Sequence, residues 1–530
     1  MTRAVSLPIL SPQTETDRKR NRNVFVIAVL IFSGLCIWNA IASYCDIETD
    51  ATMHYMIARF ALSDPVHMTS VWGRPLCTLA YAVPAVLGRQ VGARLMSLLM
   101  ALVIAGVSYS IASRQKMRFP ALAVVLLFAQ PLFFFHSWSS LTEIPFAMAL
   151  SLAFWAYQRR WWVAMAIFAG LTPLGRLEGF AFVLIAIVAL LLHRKWWIAP
   201  LVVVPFLLWS YEGYVANSRP WNYPWWQWVF RNSPYSTESM YGRGPLWWFV
   251  GQLPMIVGPF ATPFFMVGIW WCAKRAFAPT PGAAGESRYP AIIRWVLVPA
   301  DQTARCDVWI ALIPLMILIL HSLLWWQGKL GSAGSIRYMV MVAPFWALVS
   351  ARGVEWCAER FQFNRPLRWA SVGALLPLLM NWHMYPGPAE FPFPRYAEDY
   401  IAKSVADWYL ADPKVQADYP LIVSTPPAVW LHLDMNFSNS KRVGERGKQN
   451  ILEPKPGTFL IWDPVYAVKN ADESNTIPHA WVEQGHWIYV GRFDCSGSRA
   501  EIYLSPQTSS GDPTVWLKPP FQIDPSVLIE

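Results

Sequence analysis

Acidic and aromatic side chains crowd a short stretch after the first apolar segment: Tyr44, Asp46, Glu48, Asp50, His54 and Tyr55. A carboxylate just outside an apolar run stands at a membrane surface, where it can take a proton from a hydroxyl held there. The same residues suit a solvated loop, and Asp50 also suits the N-cap of a helix over TMHYMIARFAL. Two further acids stand at the edges of apolar runs, Glu143 in SLTEIPFAM and Glu178 in GLTPLGRLEGF. Arg74, Arg94, Arg176 and Arg337 occupy similar edge positions. A guanidinium fork can engage two phosphate oxygens at once. The same arginines also suit interface anchoring, and Arg94 and Arg176 suit pairing with Glu143 or Glu178. His54, His136 and His321 form no ligand set with metal spacing, so neither a metal nor another cofactor is expected. The seven cysteines contain no CxxC pair; Cys45 and Cys77 are either a disulfide or two thiols.

The elements that must hold these residues are read from hydropathy. The chain has 530 residues, 55% hydrophobic and 14% charged, against about 25% charged in an average soluble domain. Long apolar runs fill residues 24–385. Eleven spans are expected, at about 24–43, 91–113, 119–135, 143–158, 162–174, 179–192, 197–213, 246–271, 307–326, 336–350 and 369–385. The first 23 residues are polar and basic, and the run after them is too long for a signal-peptide core, so it is expected to remain as the first span.

The net charge of +10 raises the question of nucleic acid. With the N-terminus inside, the cytoplasmic segments carry 21 Lys and Arg against 9 in the longer external loops. That bias is the positive-inside pattern and accounts for the charge without a nucleic-acid partner. It predicts a cytoplasmic tail at 1–23, a transmembrane domain at 24–385 with long external loops at 44–90 and 214–245, and an extracytoplasmic domain at 386–530. In the last, AEDYIAKSVADWYLAD has helical spacing, and YPLIVST, GTFLIWD, HWIYVGRF and RAEIYLS read as strands, giving an α/β domain after a Pro-rich linker.

ETDATMHYMIARFAL at 48–62 resembles the first-loop signature of the GT-C glycosyltransferases, closest to the lipid A aminoarabinose transferases and protein O-mannosyltransferase-like bacterial enzymes. Asp50 falls at the position of that family's essential carboxylate, while Ala51 stands where a second acid is frequent; Asp46 or Glu48 would compensate. WGRPLCTLAY, LGRQVGARLMSLL, SLTEIPFAM, GLTPLGRLEGF and IRYMVMVAPFWALVSARG resemble further segments in the family's order, so the likeness runs over 46–353. The resemblance implies a polytopic GT-C-like helical bundle with an extracytoplasmic C-terminal domain. It implies inverting transfer of a sugar from a polyprenyl-phosphate donor in the bilayer to an acceptor hydroxyl.

On that reading Asp50 is the general base and Glu143 a second acid. Arg74, Arg337 and Arg94 hold the donor phosphate, and Asp46, Glu48, His54, Tyr55, Arg176, Glu178, Trp225 and Trp226 surround the substrate. Trp225 and Trp226 lie in a loop dense in Trp and Tyr; they suit an interfacial aromatic belt as well as a prenyl or sugar contact. Two competing functions are a flippase for lipid-linked sugars and a non-catalytic binder. The one-sided distribution of the acids and the lack of an inverted repeat favour the enzyme.

Overall fold

The computed structural model describes residues 14–43, 49–217, 222–235, 237–239, 241–276, 302–363, 365–379, 396–469 and 476–506. Asp46, Glu48 and Cys45 lie outside them. The chain divides into two compact units, one of Met1–Ile41 with Ile57–Glu390, the other of Ala42–Met56 with Phe391–Glu530.

The first unit is helical. In helix Glu15–Ala42, Ala28, Phe32, Cys36 and Ala40 are buried at intervals of four, while Val26, Ile27, Leu30 and Ile41 are exposed. Such a stripe faces other helices and leaves the remaining apolar surface for lipid. Among the described residues four helices are long and apolar enough to cross a membrane: Glu15–Ala42, Pro75–Arg114, Trp196–Ala216 and Arg305–Gln327. The molecule is an integral membrane protein.

Several expected spans take another form. The segment expected as loop before residue 91 is largely helical, as Thr49–Phe60, Val66–Thr69 and the start of Pro75–Arg114. Pro84 and a break at Arg89 (φ 52°) interrupt the last of these, where Gly88–Gln90 breaks the apolar pattern. The expected span 119–135 is two helices, Pro120–Phe128 and Pro131–His136, because the residue before a proline resists helical backbone. The span expected at 246–271 is three pieces, the last being Ala261–Ala276 after Gly258 at φ 99°. Helices Glu143–Gln158, Trp162–Gly175 and Gly179–Leu192 follow the expected spans closely.

Ala261–Ala276 and Ala343–Arg360 pack backbone to backbone. A Cβ on Gly353 would come within 1.8 Å of the Phe264 carbonyl oxygen, and one on Gly268 within 2.0 Å of that of Val349. A buried ion network fixes the far end of the second helix. Arg352 pairs with Asp307 (3.2 Å) and Glu355 (3.3 Å) and donates to the Gln115 carbonyl (2.6 Å), while Glu355 accepts from the Phe119 amide (2.7 Å).

The second unit carries a four-stranded sheet. β1 (Leu421–Ser424) and β2 (Thr458–Trp462) form within the expected strand segments, β3 (Ile488–Cys495) and β4 (Ser498–Leu504) overlap theirs and extend one or two residues beyond, and the order is β1-β2-β4-β3. β1 and β2 are parallel; β2–β4 and β3–β4 are antiparallel. Ser496 and Gly497, both at positive φ, turn the β3–β4 hairpin. Helix Ala397–Ala411 buries Ile401, Ala402, Val405, Ala406 and Tyr409, and Tyr409 meets Phe459 of β2 at 5.2 Å between centroids.

Candidate active site

Four local breaks place the charged side chains of the first unit. Glu143 opens helix Glu143–Gln158. Arg176 and Glu178 sit in the tight turn between helices Trp162–Gly175 and Gly179–Leu192. A Cβ on Gly179 would lie 2.3 Å from backbone atoms of Thr172 and Pro173, so this turn admits glycine alone. Arg337 and Tyr338 lie in the 3₁₀ turn Ile336–Val342. Arg74 immediately precedes Pro75 with φ 61° and ψ 108°, a strained backbone for a residue with a side chain.

These breaks bring distant residues together. Arg176 donates from Nη1 to Glu143 Oε1 (3.0 Å) and from Nη2 to Glu178 Oε1 (3.1 Å), bridging both acids. Arg337 Nε approaches the same Glu143 oxygen at 3.7 Å, and His321 Nε2 approaches Glu178 Oε1 at 3.5 Å. The Tyr338 ring lies under the guanidinium of Arg176 (4.4 Å) and near that of Arg337 (5.6 Å), and it stacks on His321 (4.9 Å). Arg74 is 3% exposed, lies 5.5 Å from the ring of Tyr235, and its Nη1 has no hydrogen-bond partner among the described residues. Tyr235 in turn is within electrostatic reach of Arg176 and Tyr338.

Three guanidiniums thus stand with two carboxylates. Burial pushes the Glu178 carboxyl up, but Arg176 and His321 outweigh it and hold it down at about 2. Arg176 bridges both acids and Arg337 shares Glu143, so among the described residues three guanidiniums face two carboxylates, an arrangement that suits an anion. Below it, the helices that carry Glu143 and His321, with the two flanking the Arg176–Glu178 turn, line a partly open apolar cavity of about 60 Å³. Its lining includes Leu150, Phe154, Tyr157, Phe182, Trp309 and Ile313. At a rise of 1.5 Å per residue, Leu150 and Tyr157 lie about 10 and 21 Å along the helix from Glu143, depths inside a ~30 Å hydrocarbon layer.

The other sequence candidates take separate positions. Asp50 is in the first turn of helix Thr49–Phe60, which starts earlier than an N-cap at Asp50 would require; an acid there complements the helix dipole. His54 and Tyr55 on the same helix are buried. Arg94 is also buried; it donates to the Ala40 carbonyl (3.1 Å), tying helix Pro75–Arg114 to helix Glu15–Ala42, and lies 5.9 Å from the Trp138 ring. Trp225 and Trp226 contact one another (5.7 Å), Trp225 meets Tyr211 (5.8 Å), and Trp226 is half exposed. Cys77 is a buried free thiol. Among the described residues no group of three or more His, Cys, Asp or Glu is placed to hold a metal.

Sequence reasoning did not assign Tyr235, His321 or Tyr338 to this cluster. Tyr338 had a signal, since it follows Arg337 directly in the same motif. His321 had none beyond being ionisable inside an apolar run.

An integral membrane bundle with an ionic cluster above an apolar cavity is the class of molecule that fold and site define. The fold is similar to that of the crystal structure of ArnT from Cupriavidus metallidurans bound to undecaprenyl phosphate. That similarity has a TM-score of 0.57 at 14% identity and covers 92% of this chain and 99% of the other. The apo structure of the same protein gives a TM-score of 0.56 at 13% identity, covering 92% and 100%. No family model and no curated protein matches the sequence.

Proposed function

We propose that this protein is a membrane glycosyltransferase that moves a sugar from a polyprenyl-phosphate donor to an acceptor hydroxyl. The observation that carries the reading is a group of three guanidiniums around two carboxylates at one end of helices whose deeper turns line an apolar cavity. A lipid phosphate has that same division, a dianionic head on an apolar tail. The likeness to a fold solved with undecaprenyl phosphate supports the same donor class.

The acceptor oxygen attacks the anomeric carbon opposite the phosphate, the bond from that carbon to the phosphate oxygen breaks, and configuration inverts. The proton leaves the acceptor for Asp50, and the lipid phosphate departs with the electron pair. Arg337 and Arg74 stabilise the charge that grows on the phosphate. Glu143 holds Arg176 and Arg337 in place, a positioning role and not that of an acid. The charge bias of the loops puts the reaction and the C-terminal domain on the extracytoplasmic face.

The test uses full-length protein in nanodiscs with undecaprenyl-phosphate-linked aminoarabinose and mannose as probes. Sugar release or transfer should fall at least about a hundredfold in Asp50→Asn, and undecaprenyl phosphate should bind more weakly to Arg337→Ala and Arg74→Ala. Unchanged turnover in Asp50→Asn would remove the base. Translocation of the intact lipid-sugar with no bond broken would make the protein a flippase.

A further inference from the structure

Asp50 belongs to the second unit by its contacts, although residues 57–390 separate its stretch, Ala42–Met56, from the rest of that unit. The contact that leads there is specific. Thr49 Oγ1 and Tyr466 Oη are 2.9 Å apart across 417 positions of sequence.

The place where Thr49 lands has a meaning in α/β architecture. Tyr466 lies four residues beyond the end of β2, in the short helix Pro464–Lys469, and β2 runs parallel to β1. Open sheets with parallel strands hold their ligands just outside the carboxyl ends of those strands. Here those ends are tightly built. Thr425, after β1, donates its amide to Ile461 of β2 (3.0 Å), and its Oγ1 accepts from the Asp463 amide (2.7 Å). Asp463 Oδ1 then accepts from the amides of Val465 (2.8 Å) and Tyr466 (3.0 Å), capping the short helix Pro464–Lys469. This chain of bonds fixes the backbone that carries the Tyr466 ring. The acids Glu398, Asp399 and Asp463 lie within electrostatic reach of its hydroxyl, and Asp399 is paired with His432 (3.4 Å). On the other side of the bond, Ala51, Thr52, His54, Tyr55 and Met56 are buried, while Thr49 and Asp50 themselves are half-buried.

We infer that the C-terminal unit is a positioning clamp, which holds the chain's own residue 49 at Tyr466 and thereby sets where the Asp50 carboxylate stands. The inference rests on the reading of Asp50 as the base. Tyr466 and Thr49 are positioning residues; neither takes a proton from substrate. A general base works only within hydrogen-bond reach of the proton it accepts, and a misplacement of about 1 Å can cost about a hundredfold in rate. One hydrogen bond at the first turn is therefore a large lever on turnover and a small one on binding.

The experiment measures backbone hydrogen exchange and turnover on the full-length protein in nanodiscs. The variants are Tyr466→Phe and Thr49→Val, with Thr49→Ser keeping the hydroxyl; the probes are undecaprenyl-phosphate-linked aminoarabinose and mannose. Residues 49–56 should exchange about tenfold faster in Tyr466→Phe and Thr49→Val, the loss of about one hydrogen bond, while β1–β4 keep their protection. The kcat should fall about tenfold or more with KM within about twofold, and Thr49→Ser should restore both. Unchanged exchange at 49–56 would overturn the clamp, as would equal acceleration through the whole sheet. Faster exchange at 49–56 in a protein that turns over neither probe, or whose Asp50→Asn form is fully active, would overturn the enzymatic reading of Asp50 and leave the clamp standing.

Discussion

Arg176 carries more of the site than its place in a two-helix turn suggests. It bridges Glu143 and Glu178, and it rests on the face of Tyr338. Removing it would leave two buried carboxylates without that counter-charge, a change that costs about 3–5 kcal/mol at buried pairs. Arg176→Ala should therefore lower Tm sharply, whereas Glu143→Gln, which keeps the shape and removes one charge, should cost less; thermal unfolding in detergent separates the two. Glu143→Gln should weaken undecaprenyl phosphate binding and leave the acidic limb of the pH–rate profile in place, because the carboxylate orients arginines and does not accept the proton. Glu178 gives a pH prediction. Its folded value, about 2, is depressed below the ordinary 4.5, so its stabilisation is complete above 4.5 and is lost as pH falls toward 2. That shift corresponds to about 3 kcal/mol at most. Tm should drop across this window, and Glu178→Gln should flatten that part of the curve.

At the scale of elements, the bundle depends on how closely two helices approach. Gly268 and Gly353 let Ala261–Ala276 and Ala343–Arg360 touch through backbone, an arrangement that small residues allow inside a membrane. The second helix continues from the turn that carries Arg337 and Tyr338, so separating the pair moves the site. Gly353→Leu should destabilise by roughly 1–3 kcal/mol through overpacking and should weaken lipid phosphate binding as well. A variant that keeps both Tm and binding would show that this seam does not position the turn. The breaks in the helices have the same logic. Arg74, Arg176 and Arg337 all lie at or between helix ends, where backbone departs from the helix and a side chain can turn inward. Hydropathy located the runs but not these breaks, because one proline or glycine barely changes an average over about 19 residues.

At the scale of the whole molecule, the loop charges predict an N-terminus inside and a C-terminus outside. Reporter fusions at residue 1 and after residue 530 should score on opposite sides, and equal scores at both ends would remove the extracytoplasmic assignment. The sequence by itself determined the membrane class, the positions of most helices and the four strands of the sheet, down to segments of seven or eight residues. It could do so because hydrophobic period and turn chemistry are local properties. It also marked Glu143, Arg176, Glu178 and Arg337 individually, through their ionisable character at the ends of apolar runs. Their partnership was decided only by tertiary structure. Arg176 and Glu143 are 33 residues apart, His321 meets Glu178 from a different helix, and Thr49 reaches Tyr466 across 417 residues. No local pattern encodes such pairs; they exist because helix packing closes long loops and then makes buried charges find one another.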